Sequence, residues 1–249
     1  MKVTFVGTSS CTPDVGSDTA SFVINDRHLV DTGWCAVLRM REYGIDPLGL
    51  ASVVLTHFHH DHYMGLVQLL FYATTRGRHG AVAHPLHVIG PEAHLARVFH
   101  AALDFLQLSR FPELEVNHAL MPLRAGQGFE LDGLQWETFA ARHVSGKGAP
   151  EEALCYKVTE PATGVRIAFT GDTSFHPPIA GFARGVRLLI HDVAHTSARD
   201  AATIAKTAEV ERLLLIHYAQ SEAASLLAAA REVFPRSFLA GDGSIMSID

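Results

Sequence analysis

Hydrophobic and polar positions alternate along this chain in short runs, and the period of the alternation changes repeatedly. KVTFVGT (2–8) alternates and is β-branched, which predicts a strand. TASFVIN and RHLVD predict a hairpin turning at Asn25-Asp26, with the second strand ending on Asp31-Thr32-Gly33. CAVLRMREYG carries apolar residues at helical spacing, SVVLTH reads as a buried strand, and HYMGLVQLLFYATT is helical again. LHVIGPEAHLARVFHAALDF predicts a strand and then a helix opened at Gly90-Pro91, since proline is tolerated at the first helical position. From 112 to 172 strands dominate, in LEVNHAL, LQWETFAARH, ALCYKVTE and GVRIAFTGD. The remainder alternates again: strand VRLLIHD, helix 198–208, strand RLLLIHY, helix 220–232, then strands SFLA and SIMSID. Two stretches of strands, each interleaved with helices, imply an α/β chain whose two sheets pack together with helices outside. No linker or low-complexity segment interrupts residues 1–249, which are expected to form one domain.

Composition narrows the class without naming a function. Hydrophobic residues make up 48% and charged residues 18%, as in ordinary globular proteins. A net charge of −6 provides no overall basic field for nucleic acid. No run approaches the roughly 20 apolar residues of a membrane span, and MKVTFVGTSSCTP is unlike a signal peptide. Cys11, Cys35 and Cys155 are odd in number and widely spaced, which suits a reducing compartment and no disulfide framework. The cytoplasm is the expected location.

Candidate chemistry concentrates in VLTHFHHDHY, where four histidines and an aspartate fall within residues 57–62. The chain has 16 histidines, so the spacing H-x-H-x-D-H arises by chance in roughly one such chain in three hundred. Corroboration comes from position. SVVL delivers His57, LQWETFAAR delivers His143, RIAFTG delivers Asp172 and RLLLI delivers His217, each at the end of a predicted strand. Ligands scattered in sequence converge in space when their strands end on one edge of a sheet. Imidazole with carboxylate suits zinc, with manganese or iron(II) as alternatives. His57 and His59, two apart in an extended loop, can face one ion, while Asp61 and His62 at a helix start can serve a second. His60, the variable position, is expected to face solvent.

THFHHDH, the distant His143, TGDT (170–173) and LLIH (214–217) together resemble the metallo-β-lactamase superfamily. MKVTFVGTSSCTP and HTSARDAATIAKTAEVERLLLIHY (195–218) resemble its RNase Z-like branch, which includes the tRNA 3′-processing endonuclease, cyclic phosphodiesterases and some arylsulfatases. The resemblance implies an αββα sandwich of two packed mixed sheets with the site along one edge. It implies two Zn2+ ions (Mn2+ or Fe2+ as alternatives), one held by His57, His59 and His143, the other by Asp61, His62 and His217. Asp172 would bridge them. It further implies hydrolysis by a hydroxide shared between the ions, aimed by Asp61, with His195 as proton donor to the leaving group. Asp192 is a candidate partner for His195, where the branch usually carries a glutamate on a longer loop. His191, His118, His176 and the histidines at 79, 84, 87, 94 and 100 are expected at the surface or behind the ligands.

Departures from the branch bear on substrate. Only 28 residues separate His143 from Asp172, too few for the protruding arm of most tRNA-processing members, and DVGSDTAS (14–21) has no cation to grip an RNA end. Arg76, Arg78 and Lys147 are the nearest candidate cations, and they are few. The expected substrate is therefore a small phosphodiester or related ester. A tRNA 3′ end, a sulfate ester, a thioester and a lactone remain as alternatives, and a homodimer is left open.

Overall fold

A computed structural model describes residues 1–77, 84–111, 114–144 and 150–249. Arg78, His79 and Lys147 lie outside the described residues. The first sheet has seven strands in the order β16 (Ile245–Ser247), β1 (Lys2–Gly7), β2 (Ser21–Ile24), β3 (His28–Val30), β4 (Ser52–Val54), β5 (Leu86–Pro91) and β6 (His118–Leu123). The second runs β15 (Ser237–Leu239), β14 (Arg212–Ile216), β13 (Leu188–Asp192), β12 (Val165–Phe169), β11 (Leu154–Glu160), β8 (Leu134–Ala140) and β7 (Gly128–Leu131). Each sheet has three antiparallel pairings and three parallel ones, the antiparallel half first in the order given for the first sheet and last in that for the second. A short ladder of β9 (His143–Val144) with β10 (Pro150–Glu151) stands apart from both.

The alternation of apolar residues explains the layering. Phe5, Phe22, Val54, Trp136, Tyr156, Phe169, Ile190 and Ile216 point from the two sheets into one shared core. Phe22 and Phe169 meet edge to face across it, ring centroids 5.2 Å apart. The other face of the first sheet is covered by α1 (Ala36–Glu42), α3 (Leu66–Gly77) and α4 (Leu95–Phe105). That of the second is covered by α5 (Ile179–Phe182), α6 (Ala198–Thr207) and α7 (Ala223–Val233). Each layer buries one face on its neighbour, giving the expected helix–sheet–sheet–helix sandwich. No helix among the described residues is long and apolar enough to cross a membrane.

Two expectations are corrected here. The helix read through HYMGLVQLLFYATT is broken into α2 (His60–Tyr63) and α3. The cause is tertiary: a Cβ on Gly65 would stand 2.4 Å from the Thr32 carbonyl oxygen, and Gly65 N–H donates to Gly33 O at 2.8 Å. Pro91 does not open α4 but ends β5, paired with Leu123, and the helix begins at Leu95. The hairpin at Asn25-Asp26 forms as read, with φ of 50° and 57° at the two turn residues, the signature of a tight primed turn.

One buried polar contact sets an acid limit on stability. His28 Nδ1 lies 2.9 Å from Ser52 Oγ, and its Nε2 3.6 Å from Asp132, with the ring against Trp136. Burial disfavours the charged ring and outweighs Asp132, with Arg27 acting in the same sense as burial, so the pKa falls to about 4. The unfolded chain takes the same proton near the ordinary value of 6.5. Stability from this group is therefore full above pH 6.5 and is lost as pH falls towards 4, by about 3 kcal/mol. Urea denaturation at pH 7.5 and 4.5 should show a smaller decline for His28→Gln than for the native protein. An unchanged decline would place the acid sensitivity elsewhere.

Candidate metal centre

The C-terminal ends of β4, β12, β13 and β14 converge at one edge of the sandwich. From β4 the chain continues through Thr56, whose N–H and hydroxyl both donate to Asp31 at 2.8 Å, and this clamps the turn that presents His57. Tyr156 adds a bond from its hydroxyl to Leu55 O at 3.0 Å, so the shared core supports the same turn. His57 is fully buried, with Nε2 3.6 Å from Asp172. His59 caps the start of α2, and its Nδ1 is 3.1 Å from His143 Nε2. Asp61 and His62 follow on α2, while His60 is exposed, as its variable position implied.

Asp172 sits at the centre. Its Oδ1 is 3.3 Å from His62 Nε2 and 3.1 Å from His217 Nδ1, and its Oδ2 is 3.4 Å from His195 Nδ1. The preceding Gly171 has φ 56°, and a Cβ there would stand 2.6 Å from the Thr56 side chain, so only glycine lets this turn close. His217 itself has φ 68°, a left-handed conformation that costs a residue with a Cβ on the order of 1–3 kcal/mol. The strain turns its ring inward, with Nε2 3.3 Å from Asp61 and Nδ1 3.0 Å from Asp192.

The donor atoms gather in groups that lie within 4.8 Å of one another: His57, His59, His143 and Asp172; then Asp61, His62 and His217; then Asp172, Asp192, His195 and His217. All seven residues expected to ligate are therefore brought together, and Asp172 faces both sets. Asp192 meets His195 at 3.3 Å, the pairing expected of it, and supports His217 as well. His191 is fully buried on β13 behind the ligands, its Nδ1 2.7 Å from Asp192 O.

Charge decides whether these residues fit metal. Asp31, Asp61, Asp172 and Asp192 are 4, 8, 2 and 2% exposed, and four buried carboxylates require compensating positive charge. Burial opposes ionisation of Asp172, yet His217, His62 and His57 together hold it well below the ordinary carboxylate range. Burial likewise disfavours charge on His62, but Asp172 and Asp31 outweigh it and raise that ring well above 6.5. Two divalent cations would supply the same positive charge. The Nε2 atoms of His57 and His62 are buried without hydrogen-bond partners and face the cluster, which suits ligand nitrogens. Burial lowers the pKa of His57 and His143, keeping them neutral as ligation requires.

Sequence reasoning missed two groups. Asp31, read only as the end of a strand, accepts from His62 Nδ1 at 2.7 Å and thereby orients that ring. A carboxylate closing an apolar strand was the available signal. Glu151 lies 2.8 Å from His59 Nε2, and nothing local in the sequence marks it. A groove of about 480 Å3 lined by Tyr63, Met64, Val67, Arg97, Val98 and Phe105 lies beside α2 and contains none of the ligand residues.

Comparison with known proteins gives a consistent picture. Residues 26–218 match the family model described as the beta-lactamase superfamily domain. The Ribonuclease Z of Methanothermobacter thermautotrophicus is 27% identical, over 97% of this chain and 95% of its own. That alignment spans 304 positions against 249 residues here, so the relative carries segments this chain lacks. Among solved structures, the metallo-beta-lactamase fold protein YhfI from Bacillus subtilis superposes with a TM-score of 0.80 at 22% identity, covering 98% of each chain. The short form of human tRNase Z superposes with a TM-score of 0.77 at 20% identity, covering 100% of each.

Proposed function

The chain belongs to the beta-lactamase superfamily, and on that premise we propose that it is a two-metal hydrolase of small phosphodiesters. His57, His59 and His143 would hold one ion, Asp61, His62 and His217 the other, with Asp172 shared. The observation that carries this reading is the position of Asp172, whose two oxygens face different histidine sets at 3.1 to 3.6 Å. Two divalent ions, zinc in the first instance, would supply Lewis acidity and lower the pKa of bound water towards neutrality.

The remaining work falls to side chains. Asp61, held well below the ordinary carboxylate range by His217 and His62 against the effect of burial, stays ionised and is placed to orient the attacking water. His195 is 37% exposed, and its Nδ1 rests between Asp192 and Asp172 at 3.3 and 3.4 Å. Asp192, with Asp172, raises its pKa against partial burial, which favours the protonated ring. That leaves Nε2 to deliver a proton to a leaving alkoxide.

The preference for a small diester rests on what surrounds the cluster. Between His143 and Asp172 the described residues form only the β9–β10 ladder and the β11–β12 hairpin, with no arm. Among the described residues, Arg142 is the single cation adjacent in sequence to any of the seven ligands. Arg166, Arg187, Arg212 and Arg236 stand at the starts of β12 to β15, the opposite ends of the strands from the site. A five-residue strand puts them roughly 16 Å away. A tRNA backbone demands several cations near the reacting phosphate, and one diester does not. The Ribonuclease Z relatives favour tRNA 3′ processing as the second reading.

Protein purified without chelator should carry close to two transition-metal ions per chain and turn over bis(p-nitrophenyl) phosphate in preference to thioester, lactone and sulfate-ester substrates. Comparing small diesters with a tRNA precursor separates the two readings. Site-specific cleavage of a tRNA precursor with no turnover of small diesters would overturn the small-substrate reading and establish the processing enzyme.

A further inference from the structure

The ladder of β9 with β10 sets Glu151 directly opposite His143, so two residues eight apart in sequence become neighbours beside the cluster. From that strand the Glu151 carboxylate reaches a different histidine, with Oε2 2.8 Å from Nε2 of His59. The other ring nitrogen, Nδ1, faces His143 Nε2 at 3.1 Å. The two nitrogens of His59 thus meet different surroundings, a carboxylate on one side and the cluster on the other.

We propose that Glu151 is a positioning residue of the metal centre: its carboxylate accepts a hydrogen bond from Nε2–H of His59, fixes that tautomer, and holds Nδ1 towards the ion that His57 and His143 would also hold. This rests on the two-metal reading above. The need for such a partner follows from the contrast with the other rings. His57 is enclosed, with Thr56 Oγ1 3.1 Å from its Nδ1. His62 is held by Asp31, and His217 by Asp192. His59 is the exposed member at 32%, and its side chain makes no capping bond to α2. Glu151 Oε2, for its part, is buried and has no aligned hydrogen-bond donor among the described residues, and its 2.8 Å approach to His59 Nε2 is a close polar contact that a small ring rotation would align. Each group can therefore satisfy the other, in the carboxylate–histidine arrangement that orients metal ligands and raises their basicity. The neighbouring Glu152 is committed elsewhere, accepting from Ala93 N at 2.8 Å.

That neighbour provides the control. Metal-depleted native protein, Glu151→Gln and Glu152→Gln would each be titrated with zinc in competition with a chromophoric chelator, and each melted with and without zinc. Glu151→Gln should weaken one of the two binding steps about 10–100-fold and shrink the zinc-induced rise in melting temperature. Its metal-free melting temperature should match that of the native chain, because a positioning role acts only when the ion is present. Glu152→Gln should bind both ions as the native chain does. Equal weakening in the two variants, or a drop in metal-free stability with zinc affinity unchanged, would overturn the proposal. Native protein that bound no zinc would overturn the two-metal reading beneath it, an outcome distinct from zinc binding that Glu151→Gln leaves intact.

Discussion

Asp172→Asn is expected to lose at least one of two bound ions and to slow hydrolysis of every substrate by about 10³-fold or more. The magnitude follows from what paired ions would supply, since a bound metal can lower the pKa of water by roughly nine units from its bulk value. The substitution keeps the shape of the side chain and removes its charge. His57, His62, His195 and His217 all lie 3.1 to 3.6 Å from this one carboxylate. Removing it also leaves buried donors uncompensated, so the metal-free variant should be less stable than the native chain. Elemental analysis alongside steady-state kinetics checks the result. A folded variant that kept both ions and most of its activity would remove Asp172 from the shared position.

His195→Ala should behave differently, because this ring touches carboxylates and is not among the residues assigned to an ion. Metal content should stay near the native value. Cleavage of diesters with poor leaving groups should slow about 10²–10⁴-fold, the usual contribution of general acid catalysis. The deficit should shrink towards none for p-nitrophenolate, which departs without a proton. In contrast, His217→Ala should deplete one ion and slow all substrates alike. Plotting the His195→Ala deficit against leaving-group pKa decides the matter. A flat line with metal retained would assign His195 to substrate positioning, and loss of an ion would make it a ligand through the group it forms with Asp172 and His217.

Much of this candidate centre was legible in the sequence because its proposed ligands obey two local rules. His57, His59, Asp61 and His62 keep a fixed spacing, and His143, Asp172 and His217 each follow a run whose pattern reads as a strand. The layers were legible for a similar reason, since alternating faces must be buried between sheets. What escaped depends on contacts between segments distant in sequence. Gly65 breaks a good helical pattern because the Thr32 carbonyl occupies the space of its side chain, a fact about residue 32. Pro91 reads as a helix opener until β6 pairs alongside it. Strand β7, with its alternately exposed residues, went unread because it carries few apolar positions. Glu151 is one of two adjacent glutamates in a polar stretch, and only the β9–β10 register separates the one that meets a histidine from the one that does not.

The first sheet is completed by segments from opposite ends of the described chain. Met1 N donates to Ile248 O at 2.8 Å, β16 pairs with β1, and Asp242 accepts from Thr8 Oγ1 at 2.6 Å and from Asp18 N at 2.8 Å. The Thr8 carbonyl so anchored receives the backbone N–H of His217 at 3.0 Å. During synthesis at about 5–20 residues per second, β1 emerges on the order of ten to fifty seconds before β16. Throughout that interval its outer edge is open, a template for stray strand pairing, and the turn that steadies His217 has no clasp. Residues 242–248 thus brace, through Asp242 and Thr8, a turn that lies 25 residues earlier in the sequence, and the two ends of the described chain are tied to the candidate centre by one clasp.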